Sequence, residues 1–303
     1  MPNRTMLYVS QQNGGMFSVA DAAQGCGAVF FVHAGTGTDA AGYGQNPDAP
    51  FASLDYAIGN CTASKGDRIV LMPGHAESLA TATSCVIDVA GVQVIGVGVG
   101  ALQPTFTLIT ATTATISVTA ANCRIDNVKV ISDLADMGVG ITAAATADGL
   151  VVENCWFTDG SVTKELVIGI SIAAACDNVK IRNNQFTTVP AGGCASAIAL
   201  VGATANSLIA DNYVSGQYST AAIDGATAAG THIKILRNVI ANLDTGAGLG
   251  VSLHASTTGA VCDNRNFGGK NTVHVVAAGC MVAENYSSNA LGASGFINPA
   301  IDT

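Results

Sequence analysis

A short motif that recurs along most of the chain constrains its fold more than any other feature. Each copy begins with Ile or Val and carries Asn two or three places later. The interval between copies is 21 residues at its shortest, from Val261 to Val282, and 29 at its longest, from Val152 to Ile181. The copies begin at Ile125, Val152, Ile181, Ile209, Ile235, Val261 and Val282. Units of this length in series are typical of a solenoid, in which each coil contacts only its neighbours.

A second β-rich run precedes most copies of the motif, as at residues 169–172 and 197–200, and turn-forming residues separate the runs. No helical periodicity connects them. A leucine-rich repeat would need its own leucine spacing and a helix in each unit, and a β-sandwich would not repeat one motif at this period. The sequence therefore predicts an all-β fold, a single-stranded parallel β-helix with two or three short strands per coil.

Two sets of residues keep a fixed distance from the start of each copy. In a parallel β-helix such residues stack on one another from coil to coil. Asn tolerates a left-handed backbone at a corner, and its amide can bond to the Asn above and below. We predict an Asn ladder three places after the start and an inward apolar ladder five places after it, both structural. The ladder residues are Asn184, Asn212, Asn238, Asn264 and Asn285, and Phe157, Phe186, Val214 and Ile240.

The segment ahead of the repeats divides the chain into an arm and a rod. Apolar residues at positions 51, 54, 58 and 61 follow helical spacing, which predicts a helix near 51–61. Such a helix would cap the end of the solenoid, whose exposed strand edge otherwise pairs with other chains. We predict one β-helix domain over residues 31–303, cap included, and an N-terminal arm or anchor over residues 1–30.

Charge and composition exclude several functions. The net charge of −9 repels a phosphate backbone, so nucleic acid is not an expected partner. No apolar stretch is long enough to span a membrane, and the polar N-terminus resembles no secretion signal. The nine Cys include no C-x-x-C pair, which indicates reduced, buried thiols. We expect no metal and no cofactor.

The opening of the rod carries a family resemblance. Residues 32–39, 47–58 and 66–74 resemble the start of pectate-lyase-like right-handed parallel β-helix proteins. The continuation through Pro73–Glu77, residues 92–98 and residues 104–107 looks more narrowly like β-helix proteins encoded by tailed bacteriophages. The resemblance covers most of residues 28–285, and it is more specific for the fold than for a function.

That resemblance implies a non-enzymatic virion structural protein, made in the host cytoplasm and present in the phage particle. It would form a rigid rod, most simply a head decoration or attachment protein anchored by its N-terminal arm. The implied partners are the major capsid protein or other virion proteins, and further copies of the chain in a homotrimer.

An enzymatic alternative is a tailspike-like polysaccharide lyase or glycosidase acting on host surface glycans. It would need several carboxylates on one face of the solenoid. The acids near the motif shift between two offsets, and no Asp-Asp pair occurs, so we assign no catalytic residue. We interpret Lys180, Arg182 and Lys234 as solubilising side chains, although a polyanionic sugar could bind there, and His75 as a turn residue that bonds the backbone.

A second alternative is a glycan-binding module, which would expose aromatic side chains along one ladder. The candidates are Trp156, Tyr213 and Tyr286. We interpret the three residues as occupying different positions in the motif, which counts against a glycan-binding function. The sequence therefore leaves the binding residues unassigned, with a host surface glycan as a possible ligand.

Overall fold

The computed structural model describes residues 27–189, 193–244, 249–267, 275–288 and 294–296, which form a right-handed parallel β-helix. Three sheets run along its axis. Sheet I contains β1 (Val29–Val32), β2 (Arg68–Leu71), β5 (Gln93–Gly96), β8 (Arg124–Asp126), β11 (Val151–Glu153), β14 (Lys180–Arg182), β17 (Leu208–Ala210), β20 (Ile233–Leu236), β23 (Gly259–Cys262) and β26 (Cys280–Ala283). Sheet II contains β3 (Ala76–Leu79), β6 (Thr105–Leu108), β9 (Lys129–Ser132), β12 (Trp156–Asp159), β15 (Gln185–Thr187), β18 (Tyr213–Gly216), β21 (Val239–Asn242), β24 (Arg265–Phe267), β27 (Tyr286–Ser288) and β28 (Ser294–Phe296). Sheet III contains β4 (Val86–Ile87), β7 (Ile116–Val118), β10 (Met137–Ala143), β13 (Leu166–Ile172), β16 (Ser196–Leu200), β19 (Ala221–Gly225), β22 (Leu249–Leu253) and β25 (Val275–Val276).

Alternation of side chains along each short strand builds the core. The strands pair in parallel, apart from the antiparallel pair of β27 and β28, so equivalent residues of successive coils lie in register. The Ile or Val that begins each motif points inward in sheet I and stacks on its counterpart, as Val152 does between Ile125 and Ile181. The periodicity found in the sequence is therefore the periodicity of the core.

The corner between sheets I and II requires a left-handed backbone at one residue per coil. That residue lies two places after the start of the motif, with φ between 53° and 58°. Asn fills the position in three coils because its short polar side chain adopts this conformation at low cost. The corner residues are Asn127, Asn154, Asn183, Asp211, Arg237, Asp263 and Glu284.

The Asn one place further on forms a continuous buried ladder. Asn212 Oδ1 accepts the backbone N–H of Asn184 at 3.0 Å and its side-chain amide at 3.1 Å. Asn212 Nδ2 donates to Ile181 O at 3.0 Å and to Asn238 Oδ1 at 2.9 Å. The same pattern continues to Asn264 and Asn285. Each amide thus satisfies backbone groups that the corner would otherwise leave buried without partners.

A short α-helix, α1 (Leu54–Gly59), covers the N-terminal end of the solenoid. Ser53 is its N-cap, and the Ser53 side chain accepts the Tyr56 N–H. The helix buries Leu54, Ala57 and Ile58. The helix is shorter than the predicted range of 51–61 because residue 51 forms a parallel bridge with Val32 instead.

His75 attaches this cap to the first coil. Its Nδ1 accepts the Ala34 N–H at 3.1 Å, which confirms the prediction of a residue that bonds the backbone. Its Nε2 lies 3.2 Å from Glu77 Oε2, and the same oxygen accepts the Leu54 N–H at 3.0 Å. The pair therefore joins the end of β1, the start of α1 and strand β3.

The predicted arm covers residues 1–30. Residues 1–26 lie outside the described residues, and β1 begins at Val29. No helix within the described ranges is both long and apolar enough to cross a membrane.

Candidate functional site

The outer face of sheet II presents two rows of side chains to solvent. Inward residues such as Phe157 and Phe186 are fully buried, so the residues on either side of them in the strand point outward. We call the row that precedes the inward position the outer row. It consists of Ala76, Thr105, Lys129, Trp156, Gln185, Tyr213, Val239, Arg265 and Tyr286.

Three aromatic residues share the outer row. Trp156 lies two coils from Tyr213, about 10 Å along the axis, and Tyr213 lies three coils from Tyr286, about 14 Å. Tyr213 is 47% exposed and Tyr286 is 43% exposed. The interpretation that these residues occupy different positions in the motif is therefore wrong. Each lies four places after the start of its copy, between inward positions three and five.

The Trp156 ring is fixed by its neighbours on the two adjoining coils. Its Nε1 donates to Thr187 Oγ1 at 2.8 Å. The Lys129 ammonium lies over the ring, 3.9 Å from its centroid, as a cation–π contact. These two contacts hold the indole in one orientation.

Among the described residues, the two outward rows of sheet II contain cations but no acids. Lys129 and Arg265 lie in the outer row, and burial lowers the pKa of Lys129. The second outward row carries no ionisable side chain, and neither row contains Asp or Glu. That second row consists of Ser78, Thr107, Ile131, Thr158, Thr187, Ser215, Ala241, Phe267 and Ser288.

The outer face of sheet I holds a compensated charge network instead. Glu153, only 4% exposed, accepts from Arg124 Nε at 2.6 Å and from Arg182 Nε at 2.5 Å. Arg124 Nη2 also donates to Asp126 at 2.8 Å. Lys180 and Arg182 point to the same side, as expected from alternation. Each of these acids forms an ion pair with arginine, so together they form no cluster able to hold a cation.

A second acidic group, which the sequence analysis did not identify, lies at the corner where sheet II ends. Asp159 accepts the N–H groups of Leu166 and Val189, each at 2.8 Å, and lies 3.7 Å from the Cys194 thiol. Burial raises the pKa of Asp159 and raises that of Cys194 to about 12. Asp159 ends β12 and Leu166 begins β13, whereas Val189 and Cys194 lie between β15 and β16 on the next coil, so no fixed spacing connects the four residues. The contacts fasten loops to the solenoid.

The remaining ladder residues lie inside the solenoid. Phe157 and Phe186 stack with centroids 4.7 Å apart and an interplanar angle of 8°. Val214 and Ile240 continue the same inward row on the next two coils. In the part of the chain that the structure describes, the eight Cys are free thiols and no three potential metal ligands come together.

The fold and the outer face of sheet II together define a class of protein: a parallel β-helix whose second sheet exposes a row of aromatic and cationic side chains.

Two solved structures are similar to the chain. A GH136 lacto-N-biosidase from Eubacterium ramulus has a TM-score of 0.46 at 12% identity, over 86% of this chain and 67% of that chain. A rhamnogalacturonan lyase has a TM-score of 0.42 at 13% identity, over 89% of each chain. These likenesses assign no activity to this chain. No protein-family model and no curated protein match its sequence.

Proposed function

We propose that the outer face of sheet II binds a linear polysaccharide that lies along the axis of the solenoid. The observation that supports this function is the single row shared by Trp156, Tyr213 and Tyr286. Aromatic rings offer a rigid apolar surface with polar edges, which suits the apolar faces of sugar rings at low cost in side-chain entropy.

The spacing of the row suits an extended sugar chain. Successive coils are about 4.8 Å apart, close to the advance of one ring in an extended β-1,4-linked polysaccharide. Each coil then faces one sugar ring. Trp156 and Tyr213 stack against the first and third rings of a trisaccharide, and the exposed Gln185 amide between them supplies hydrogen bonds to the ring that links them.

We propose binding without cleavage. Glycoside hydrolysis uses a pair of carboxyl groups that flank the scissile bond, and both rows of this face lack them. The buried Asp159 lies at the far end of its strand, with its oxygens engaged by backbone N–H groups. We therefore expect no new chain ends after prolonged incubation with a bound oligosaccharide.

Calorimetric titration with two β-1,4-linked hexasaccharides, neutral mannohexaose and acidic hexamannuronate, tests the binding face. We expect wild type to bind at least one of them and Trp156→Ala and Tyr213→Ala each to weaken binding at least tenfold. Tyr43→Ala is the matched control, because Tyr43 is an exposed tyrosine outside sheet II. Failure of wild type to bind either hexasaccharide, or equal binding by all variants, contradicts the proposed function.

We further propose, on the sequence resemblance alone, that this rod belongs to a tailed-phage particle, as a trimer bound to the major capsid protein or other virion proteins. The expected result is detection of the chain in purified virions by quantitative mass spectrometry. Hundreds of copies per particle would indicate head decoration, and a few copies would indicate the tail or one vertex. Absence from the particle contradicts the virion assignment, and a monomer in light scattering contradicts the trimer.

A further inference from the structure

We infer that the polysaccharide is acidic, and that Lys129 and Arg265 bind its carboxylate groups while the aromatic residues of the outer row stack against its sugar rings. This inference rests on the proposed function and names the class of ligand for the same face.

The charge pattern of the chain is the first observation. The protein as a whole carries a net charge of −9. Arg124, Lys164, Arg182 and Arg237 form ion pairs with acids, and all four lie outside the outer row. The two cations of the outer row have no carboxylate within 4 Å in the described part of the chain, and no acid shares their face. A cationic strip on an acidic protein is complementary to an anionic ligand.

The environment of Lys129 is the second observation. Its ammonium has given up part of its hydration to lie over the Trp156 ring, which lowers its pKa, and no anion compensates it there. A carboxylate bound to that ammonium would lie close to the same indole ring. A sugar acid could then pair with Lys129 and contact Trp156 through one ring.

Arg265 provides an equivalent group near the other end of the row. Its side chain is exposed between Val239 and Tyr286 in the outer row. A planar guanidinium can bind a carboxylate through two parallel hydrogen bonds. Lys129 and Arg265 are five coils apart, about 24 Å. The distance matches a hexasaccharide with an acidic ring at each end.

At each ring, hexamannuronate has a carboxylate where mannohexaose has a hydroxymethyl group. Comparing the two sugars therefore isolates the effect of the ligand's charge. We expect hexamannuronate to bind wild type about tenfold more tightly than mannohexaose at low salt. Lys129→Gln and Arg265→Gln should each reduce that preference, and the double variant should remove most of it. Raising the salt concentration should weaken hexamannuronate binding to wild type and have little effect on the double variant.

Lys180→Gln is the matched control, because Lys180 is an exposed lysine on the outer face of sheet I; it should bind both sugars as wild type does. Equal binding of the two sugars, or a charge preference unaffected by Lys129→Gln and Arg265→Gln, overturns the acidic ligand and leaves the aromatic face standing. Binding of neither sugar overturns the proposed function itself. Tighter binding of a twelve-nucleotide oligo-dT than of hexamannuronate also overturns the inference, in favour of a single-stranded nucleic acid ligand.

Discussion

Asn212→Ala is expected to lower the free energy of unfolding by about 3 to 5 kcal/mol. The substitution removes the oxygen that accepts both the backbone and the side-chain N–H of Asn184. It also removes the donor to Ile181 O and one donor to Asn238 Oδ1. These groups are buried. The Asn184 backbone N–H loses its acceptor and Ile181 O loses its side-chain donor, whereas the Asn184 amide still donates to Val152 O and Asn238 Oδ1 still accepts the Asn212 backbone N–H.

Urea denaturation followed by the fluorescence of Trp156, the one tryptophan of the chain, measures this loss. The indole lies one coil from Asn184 and so reports the same part of the solenoid. Gln185→Ala is the control, because it removes an exposed amide beside the ladder and should change stability by less than about 0.5 kcal/mol. A similar midpoint for both variants, with an unchanged denaturant slope, would show that the ladder adds little stability.

Phe186→Ala is expected to cost about 3 to 5 kcal/mol through a different mechanism, the opening of a cavity. The ring is 1% exposed and stacks on Phe157. The backbone of sheet III approaches it so closely that a Cβ on Gly169 would lie 2.8 Å from the ring. A small void bounded by Phe157, Phe186 and Tyr218 already exists beside it. Removing the ring enlarges that void, because parallel strands on every side hold the walls apart.

The Phe186 series has two internal controls. Phe186→Leu keeps most of the volume and should cost no more than about 1.5 kcal/mol. Phe267→Ala removes a ring that is 44% exposed on the outer face of sheet II and should change stability by less than about 0.5 kcal/mol. Equal losses for Phe186→Ala and Phe267→Ala would contradict the inward ladder.

The repeat makes much of this fold readable from the sequence. An element that returns at every coil must place its apolar residues inward at the same offset, so the start of the motif, the buried Asn and the inward ladder follow from spacing. The same spacing also locates the candidate face. The residue four places after the start of each motif lies between two inward-pointing residues and therefore points outward. The three aromatic residues could have been assigned to one row, but the sequence analysis treated their offsets as unequal.

Contacts between loops could not be obtained in this way. The contacts of Asp159 with Leu166, Val189 and Cys194 depend on the paths of loops that differ in length from coil to coil. The same is true of His75, which contacts Ala34 across forty intervening residues. The spacing of a motif carries no information about such paths.

The sequence by itself determined a parallel β-helix, its coil length and the residues that stack inside it. Only the tertiary structure decided which outward-pointing charges are compensated: Glu153 by two arginines on sheet I, and Lys129 by no acid among the described residues of sheet II. The physical reason is that burial of apolar side chains imposes one offset on every coil, whereas an exposed side chain can point toward solvent or toward any neighbour within reach. Its partner therefore depends on the three-dimensional arrangement of adjacent coils.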